Sequence, residues 1–466
     1  MTVNEISKAI EQYTLALLSS NLQSSSVSPN QPKLVLAYSG GVDSECLAYG
    51  LSAFAQQHPH IPCLLVHVHH GLSDNADTWV DHCLAQANKY QLPIQIERVN
   101  LTKSPRQSLE AIARDARYNV FKKYLNQGDI LLTAHHQDDQ LETVLLALKR
   151  GQGPKGLAAM GAIQPFNQHS WIVRPLLDIS RAQIESFATS VELKHIEDES
   201  NQDEQFDRNF LRQDIIPRLK QRWPSIAVTA SRSANLCAQQ QIVIEQEVNN
   251  RLPAFIDITV GGKYPAFKLL ELKSESPQWQ SLLLRGYIQS QKLPLPSHSQ
   301  LEQILDQVLN AADDAKVDVH CGDYSIKRFA GRAYIVPVAN ENSLKAQQTN
   351  TIDELSAFIT GSGSEGANSL GVQEYQVTLS HDGVRLRLPN TEKVSVVFGA
   401  KGSTRCQPHF RDKGRELKKI WQELAVPPWQ RNQTPLVFYN DNLVAALGLW
   451  VDKRFLAQGQ NLGFKL

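Results

Sequence analysis

The sequence predicts an α/β protein: a doubly wound parallel sheet, followed by a mainly helical middle segment and a small α+β unit at the C-terminus. Three observations predict it. Short apolar runs alternate with amphipathic stretches from Lys33 to about Trp223, the rhythm of parallel strands joined by helices. That rhythm stops at Trp223-Pro224, where long helical stretches take over. A glycine-rich turn joins the first apolar run directly to the start of a helix, the arrangement found in doubly wound sheets that bind nucleotides.

The expected strands, in order, are LVLAY (Leu34–Tyr38), CLLVHV (Cys63–Val68), IQIERV (Ile94–Val99), DILLTA (Asp129–Ala134) and WIVRPLL (Trp171–Leu177). Between them, segments such as SLEAIARDARYNVFKKYL (Ser108–Leu125) carry apolar residues at helical spacing. These elements define an expected catalytic domain over residues 1–223. A mainly helical domain is expected over 224–340, from Ser233–Leu252 and Gln300–Ala312, closed by a β-like tail at Tyr324–Val338. Residues 341–371, with GSGSEGANS at Gly361–Ser369, have linker composition, and 372–466 form the expected C-terminal domain.

Composition narrows the class. A chain of 466 residues with 42% hydrophobic and 20% charged residues is an ordinary globular protein of more than one domain. No stretch approaches the roughly 20 apolar residues of a bilayer span, so no membrane association is expected. The first residues include Glu5 and lack a basic segment leading into an apolar run, so a cytoplasmic location is expected. The six cysteines form no CxxC pair, which excludes zinc ribbons, cluster ligation and a disulfide framework. Net charge is zero, so an RNA footprint has to be local. Seven Lys/Arg between Lys401 and Lys419 face two acids, and a second cluster comprises Arg208, Arg212, Arg218, Lys220 and Arg222. Such runs are also common as plain solvated faces.

The chemistry is carried by SGGVDS (Ser39–Ser44), between the first strand and its helix. Glycines let anionic oxygens approach the main chain, and hydroxyls together with free helix N–H groups donate to them. A triphosphate suits that site. The loop has neither the GK[ST] ending of a Walker A sequence nor a GxGxxG pattern. SGGVDS instead resembles the signature loop of the N-type ATP pyrophosphatases, the PP-loop superfamily, which cleave ATP between the α and β phosphates.

Further motifs narrow that resemblance: HVHHGLS (His67–Ser73), SLEAIARDARY (Ser108–Tyr118), AHHQDDQLETVLLALKRGQGPKGLAAM (Ala134–Met160), RPLL (Arg174–Leu177) and ESNQDEQFDRNFLRQDIIPRL (Glu199–Leu219). Together with RELKKIWQELAVPPWQR (Arg415–Arg431), they resemble the tRNA(Ile)-lysidine synthetase family over nearly the whole chain. The stretch Gly399–Pro408 departs from the Arg-Gly-Gly-like run usual in longer members. A PP-loop tRNA thiolase is the alternative, disfavoured because paired redox or cluster cysteines are missing. A glutamine-dependent amidotransferase would need a nucleophilic cysteine in a suitable setting, which is also missing.

The resemblance implies a ligase. The C2 oxygen of a wobble cytidine in a CAU anticodon attacks the α-phosphate of ATP, and the ε-amine of free L-lysine then displaces AMP. It implies ATP-binding by Ser39, Gly40, Gly41, Val42, Asp43 and Ser44, and catalytic roles for Asp43, Arg114, Asp139 and Glu142. Lysine has a pKa of about 10.4, so its ammonium has to be bound and deprotonated. Asp139 and Glu142, three positions apart on one helix face, are the implied carboxylates. Their spacing is equally that of a capping box, and Asp138 is the expected helix cap. Asp43, among phosphates, implies a Mg2+ ion. Arg114 is preferred over Arg117 for stabilising charge on the phosphates. The histidines His67, His69, His70, His135 and His136 are read as nucleotide contacts rather than zinc ligands. Implied tRNA contacts are Arg208, Arg415, Lys418 and Lys419, with Asn209 beside the first. The partners are tRNA(Ile) and free L-lysine, and a homodimer is one allowed assembly.

Overall fold

The computed structural model describes the chain except residues 25–30, 72, 74, 102–108, 168, 200–202, 204, 259–263, 313–314, 339–340, 361–368, 373–374 and 466. Two compact units are present, Met1–Ile244 and Glu245–Leu466.

The first unit is built on a parallel sheet. Helix α1 (Val3–Ser24) precedes β1 (Leu34–Ala37), α2 (Val42–Gln57), β2 (Cys63–His69), α3 (Ala76–Tyr90) and β3 (Ile94–Arg98). Then come α4 (Leu109–Lys123), β4 (Ile130–Leu132), α5 (Gln137–Lys149), α6 (Pro154–Leu157), β5 (Ile163–Pro165), β6 (Trp171–Val173) and α7 (Arg181–Ser190). The strand order is β3-β2-β1-β4-β6-β5. All neighbours are parallel except β5 and β6. From β1 the chain winds outward through β2 and β3, then returns to β4 on the other side of β1. The carboxyl ends of β1 and β4 therefore flank the topological switch point, where such sheets bind ligands.

The sequence dictates this centre through burial on both faces. Leu34, Val35 and Leu36 of β1 and Ile130, Leu131 and Leu132 of β4 are fully buried, as continuous apolar runs require in a covered parallel sheet. Alternate residues serve opposite faces. Leu34 and Leu36 pack with Ile6, Ile10, Leu47, Leu51, Phe54 and Ile184, whereas Val35 packs with Val66, Val120, Phe121 and Leu131. Helix α1, for which the sequence carried no expectation, lies on α2 because Gly50 leaves room for Ile6, whose side chain a Cβ at position 50 would strike.

Past α7 come a short helix α8 (Asp207–Phe210), a π-helical turn at Leu211–Ile215, α9 (Ile216–Arg222) and the long helix α10 (Ile226–Phe255). The unit extends to Ile244 rather than ending at the expected break at 223. The reason is packing: Ala227, Ile226 and Ala230 of α10 join Leu141 and Ile216 in one apolar cluster.

In the second unit, helices Pro277–Ser290 and His298–Asn310 pack on a five-stranded antiparallel sheet that includes Tyr324–Phe329 and Arg332–Pro337. Helix His298–Asn310 and the two strands of the tail match expected elements, and the expected helix Ser233–Leu252 lies within α10, whereas helix Pro277–Ser290 was not expected. The other strands, Ile256–Asp257, Ala266–Lys268 and Asp318–His320, are too short to show a period of two. Beyond them, Val394–Phe398, Pro435–Tyr439, Asn442–Ala446 and Trp450–Val451 form one four-stranded sheet. A second four-stranded sheet is led by Tyr375–Ser380, and the helix Leu417–Glu423 completes the region.

The expected linker over 341–371 is corrected in its first part. Residues Glu341–Thr360 form a helix whose Leu355 and Ile359 are buried with Val377, Val396, Val437 and Phe464. Ser369–Val372 is a strand. The Gly/Ser-rich stretch 361–368 lies outside the described residues.

Candidate active site

A cleft of about 1020 Å³ opens at the carboxyl ends of β1, β2 and β4. Its lining includes Ser39, Asp43, Ser44, His67, Trp79, Arg114, His135, Asp139, Arg208 and Arg212.

The glycine loop forms one end. Gly40 has φ +83°, a left-handed conformation that disfavours side chains, and a Cβ there would also run into Ile196. Ile196 in turn donates its N–H to Gly40 O at 2.9 Å, which holds the loop from beneath. The Ser39 and Ser44 hydroxyls lie 3.0 Å apart, and Gly40 N donates to Ser44 Oγ at 3.0 Å. Gly41 is the N-cap of α2, without a side-chain cap, so the first-turn N–H groups of a 16-residue helix remain for an anion. Of the six loop residues expected to bind ATP, Ser39, Asp43 and Ser44 line the cleft. Val42 turns its side chain into the core, and Gly40, Gly41 and Val42 present backbone alone.

Asp43 points from the first turn of α2 toward the end of β4. Arg181 Nη1 donates to its Oδ2 at 2.6 Å, and His136 Nε2 lies 3.7 Å from its Oδ1. Oδ1 is buried and has no hydrogen-bond partner. Burial raises the Asp43 pKa above the ordinary carboxylate value, against the opposing pull of His136 and Arg181.

At the start of α5, the N-cap is His136 and the capping box closes on Asp139. The His136 N–H donates to Asp139 Oδ2 at 2.9 Å, and Asp139 N donates to His136 Nδ1 at 3.4 Å. Asp138 is therefore not the cap of its own helix. It accepts the N–H of Arg181 at 2.8 Å, satisfying the first turn of α7 instead, and pairs with Lys220. The other oxygen of Asp139 is 3.4 Å from Arg212 Nη2. Glu142, 1% exposed, sits behind the cleft wall and takes both arms of Arg212, at 2.8 Å from Nε and 3.0 Å from Nη2. Burial raises its pKa too, against the attraction of Arg212. The helix thus brings Asp139 and Glu142 together, as their spacing implies. Two carboxylates share one guanidinium, which leaves an excess negative charge suited to a cation.

Arg114 and Arg117 both reach the cleft from α4. Arg114 stacks over the Tyr118 ring at 4.9 Å and donates to its hydroxyl at 3.4 Å. Ser108, at the start of that motif, lies outside the described residues, as do Leu72 of HVHHGLS and Ser200, Asn201, Gln202 and Glu204 of the later motif. Burial lowers His135 to about 3 and His70 to about 4, so both rings are neutral at pH 7 and suited to a nucleobase rather than to a phosphate. His67 and His69 also line the cleft, whereas His136 serves the helix cap.

Arg181 and Arg212 were not expected. Each pairs with a carboxylate 138 or 70 positions away, and Arg212 entered the sequence reading only as part of a basic run. The π-helical turn that carries Arg212 has no pattern in the sequence, although such turns recur at functional sites.

The expected tRNA contacts fall on both units. Arg208 lines the cleft, and Asn209 beside it is buried and donates to Asp203 O at 2.9 Å. Arg415, Lys418 and Lys419 belong to the basic stretch of the second unit. Part of that stretch is neutralised: Arg411 and Arg415 meet Glu423, and Lys418 and Lys419 lie 3.3 and 3.9 Å from Glu416. Trp421 is buried, and Trp429 packs edge-on against Tyr334 at 5.4 Å between ring centroids.

A parallel sheet with a glycine loop at its switch point, a cationic rim and a carboxylate pair at the next strand end define an ATP-using enzyme of the PP-loop class. The model of the PP-loop domain matches residues 12–219. The models of the TilS substrate binding domain and the TilS substrate C-terminal domain match 267–334 and 394–466. The tRNA(Ile)-lysidine synthase of Shewanella oneidensis is 54% identical, covering 92% of this chain and 93% of its own length. That of Shewanella woodyi is 50% identical over 97% and 96%, and that of Vibrio vulnificus 40% over 91% and 94%. The chain belongs to the tRNA(Ile)-lysidine synthase family.

Proposed function

We propose that this enzyme ligates free L-lysine to C2 of the wobble cytidine in the CAU anticodon of tRNA(Ile), at the expense of ATP. The observation that carries the reading is the meeting, in one cleft, of a loop built for polyphosphate and a carboxylate pair with surplus negative charge. The cytidine C2 oxygen attacks the α-phosphorus, and diphosphate departs along the Ser39–Ser44 loop. One proton of the lysine ammonium passes to a carboxylate; the freed ε-amine then forms its bond to C2 as the C2–O bond to AMP breaks, and the nitrogen's second proton goes to solvent. Arg114 and Arg212 stabilise the negative charge that develops on the phosphates.

Asp139 receives the lysine ammonium, since it lines the cleft while its cap bond fixes its direction. Glu142 is reached when Arg212, whose side chain is 43% exposed, swings outward. Asp43, which lines the cleft in the first turn of α2 and has one buried oxygen without a hydrogen-bond partner, has the donor chemistry to hold Mg2+. That ion would neutralise phosphate charge when bound. The thiolase alternative receives no support from the cysteines, five of which are buried and all of which are free.

Within this reading, residues 1–223 carry catalysis, and the unit beyond 372 recognises tRNA through Arg415, Lys418 and Lys419, with Arg208 guiding the anticodon into the cleft. The reaction belongs in the cytoplasm, where tRNA and ATP are found, and among the described residues no helix is long and apolar enough to cross a membrane. Incubation with radiolabelled lysine, ATP and total tRNA should label a single tRNA species. Sulfur incorporation without lysine incorporation would overturn the reading.

A further inference from the structure

The two residues that bracket the phosphate loop are bonded to each other. Tyr38, just before Ser39, donates its hydroxyl hydrogen to Glu45, just after Ser44. Glu45 is fully buried, on the side of α2 that meets α3. An apolar residue would be the ordinary occupant, because a buried carboxylate is costly unless its oxygens are satisfied. Here they are. Tyr90 of α3 donates its hydroxyl hydrogen to Oε2 at 2.8 Å, and His82 Nε2 lies 2.9 Å from Oε1. Tyr38 is held a second time, through its backbone, since His67 Nδ1 is 3.0 Å from its carbonyl oxygen. None of these contacts has a part in the chemistry proposed above.

We propose that Tyr38 and Glu45 are positioning residues whose bond closes the Ser39–Ser44 segment into a ring. The Ser39–Ser44 hydroxyl contact at 3.0 Å is the inner rung of that ring, and the Tyr38–Glu45 bond is the outer one. Tying both ends holds the loop N–H groups in their receiving geometry before ATP arrives, so that less ordering is needed on binding. Tyr90 and His82 keep the carboxylate in place from α3 without touching the loop. This inference rests on the loop being the polyphosphate site, and not on lysine being the second substrate.

Two substitutions separate positioning from plain stability. Tyr38→Phe and Tyr90→Phe each remove one hydroxyl from the same buried carboxylate, but only Tyr38 borders the loop. We expect Tyr38→Phe to weaken equilibrium ATP binding and raise the KM for ATP by about tenfold. That is about 1.4 kcal/mol, near the lower end for a hydrogen bond to a charged group. The KM for lysine and kcat at saturating ATP should stay within about twofold. Tyr90→Phe should lower the melting temperature to a similar degree and leave ATP binding unchanged. Glu45→Gln, which keeps an acceptor for Tyr38, should bind ATP nearly as the parent does, and it carries the test if Tyr38→Phe does not fold. Equal ATP affinities in the two Tyr→Phe variants, or a tenfold loss in Glu45→Gln, would overturn the proposal. ATP binding is read directly, so a chain that binds ATP in this pattern yet incorporates no lysine would refute the ligase reading and leave the ring standing.

Discussion

Replacing Asp139 with asparagine removes a negative charge from the cleft wall while sparing the helix that carries it. In the structure Asp139 does two jobs with two oxygens: Oδ2 takes the N–H of His136 at 2.9 Å, and Oδ1 faces Arg212 at 3.4 Å beside the cleft. An asparagine amide oxygen can keep the first contact, because the N3 residue of a capping box needs only an acceptor for the N-cap N–H, which an amide oxygen supplies as a carboxylate does. The second loses its charge, and a hydrogen bond to a charged partner is worth about 1.5–3 kcal/mol. At about 1.4 kcal/mol per factor of ten, the KM for lysine should rise about 10- to 150-fold. Formation of adenylated tRNA, followed as diphosphate release in the absence of lysine, should persist at near the parental rate. Asp139→Ala also loses the bond from the His136 N–H, about 0.5–1.5 kcal/mol, and should melt earlier than Asp139→Asn. The assay pairs labelled-lysine incorporation over a range of lysine concentrations with single-turnover diphosphate release. An unchanged lysine KM in Asp139→Asn, or adenylation lost as completely as transfer, would refute the assignment of this carboxylate to the ammonium.

Other outcomes follow from the same geometry. Asp43→Ala should abolish ATP-dependent modification while leaving tRNA binding measurable by filter retention. Gly40→Ala, at φ +83° and against Ile196, should lose ATP binding, as read by calorimetry. The raised pKa of Glu142 means that its proton returns at a higher pH than for an ordinary glutamate. Its charge, and with it lysine affinity, should therefore fall away on the acid side earlier than a solvent-exposed carboxylate would allow, and Glu142→Gln should flatten that limb of the profile. The sign for stability runs the other way: a carboxyl whose folded pKa lies above its unfolded value takes up protons more readily when folded, so keeping it ionised at pH 7 costs folding free energy. Glu142→Gln should accordingly melt no earlier than the parent at pH 7. Joint replacement of Lys418 and Lys419 by alanine should weaken tRNA binding and lower the steepness of its salt dependence, as measured by titration at several salt concentrations.

The parts of the fold that could be read in advance are those whose sequence pattern has a single structural meaning. The central strands are buried on both faces, so Leu34–Leu36 and Ile130–Leu132 read as unbroken apolar runs. Strand Ile163–Pro165 is a half-exposed antiparallel edge and left no such trace. The helix Glu341–Thr360 reads as a linker in the sequence because its first half, ENSLKAQQTN, is polar and its apolar stripe, Ile352, Leu355 and Ile359, is confined to the last turns, so tertiary packing rather than amphipathic strength holds it. In the site, placements set by local geometry were legible, as with Gly40 in its turn and Asp139 and Glu142 on one helix face. The choice of cap was not. Asp138 and Asp139 are equally good capping residues on paper, and only the position of Arg181 N relative to α5 decides which carboxylate turns inward. The pairings of Arg181 and Arg212 depend on where elements distant in the chain meet, which no local spacing encodes.

In the proposed reaction the loop between β1 and α2 holds the β and γ phosphates while the α-phosphorus is transferred. Supplying the enzyme with tRNA, lysine and ATP labelled at the α-phosphorus or, in a parallel reaction, at the γ-phosphorus, and resolving the products by thin-layer chromatography, reads that partition. The expected products are AMP and diphosphate in equal amounts, one of each for every lysine incorporated. Labelled ADP with release of orthophosphate would contradict that reaction.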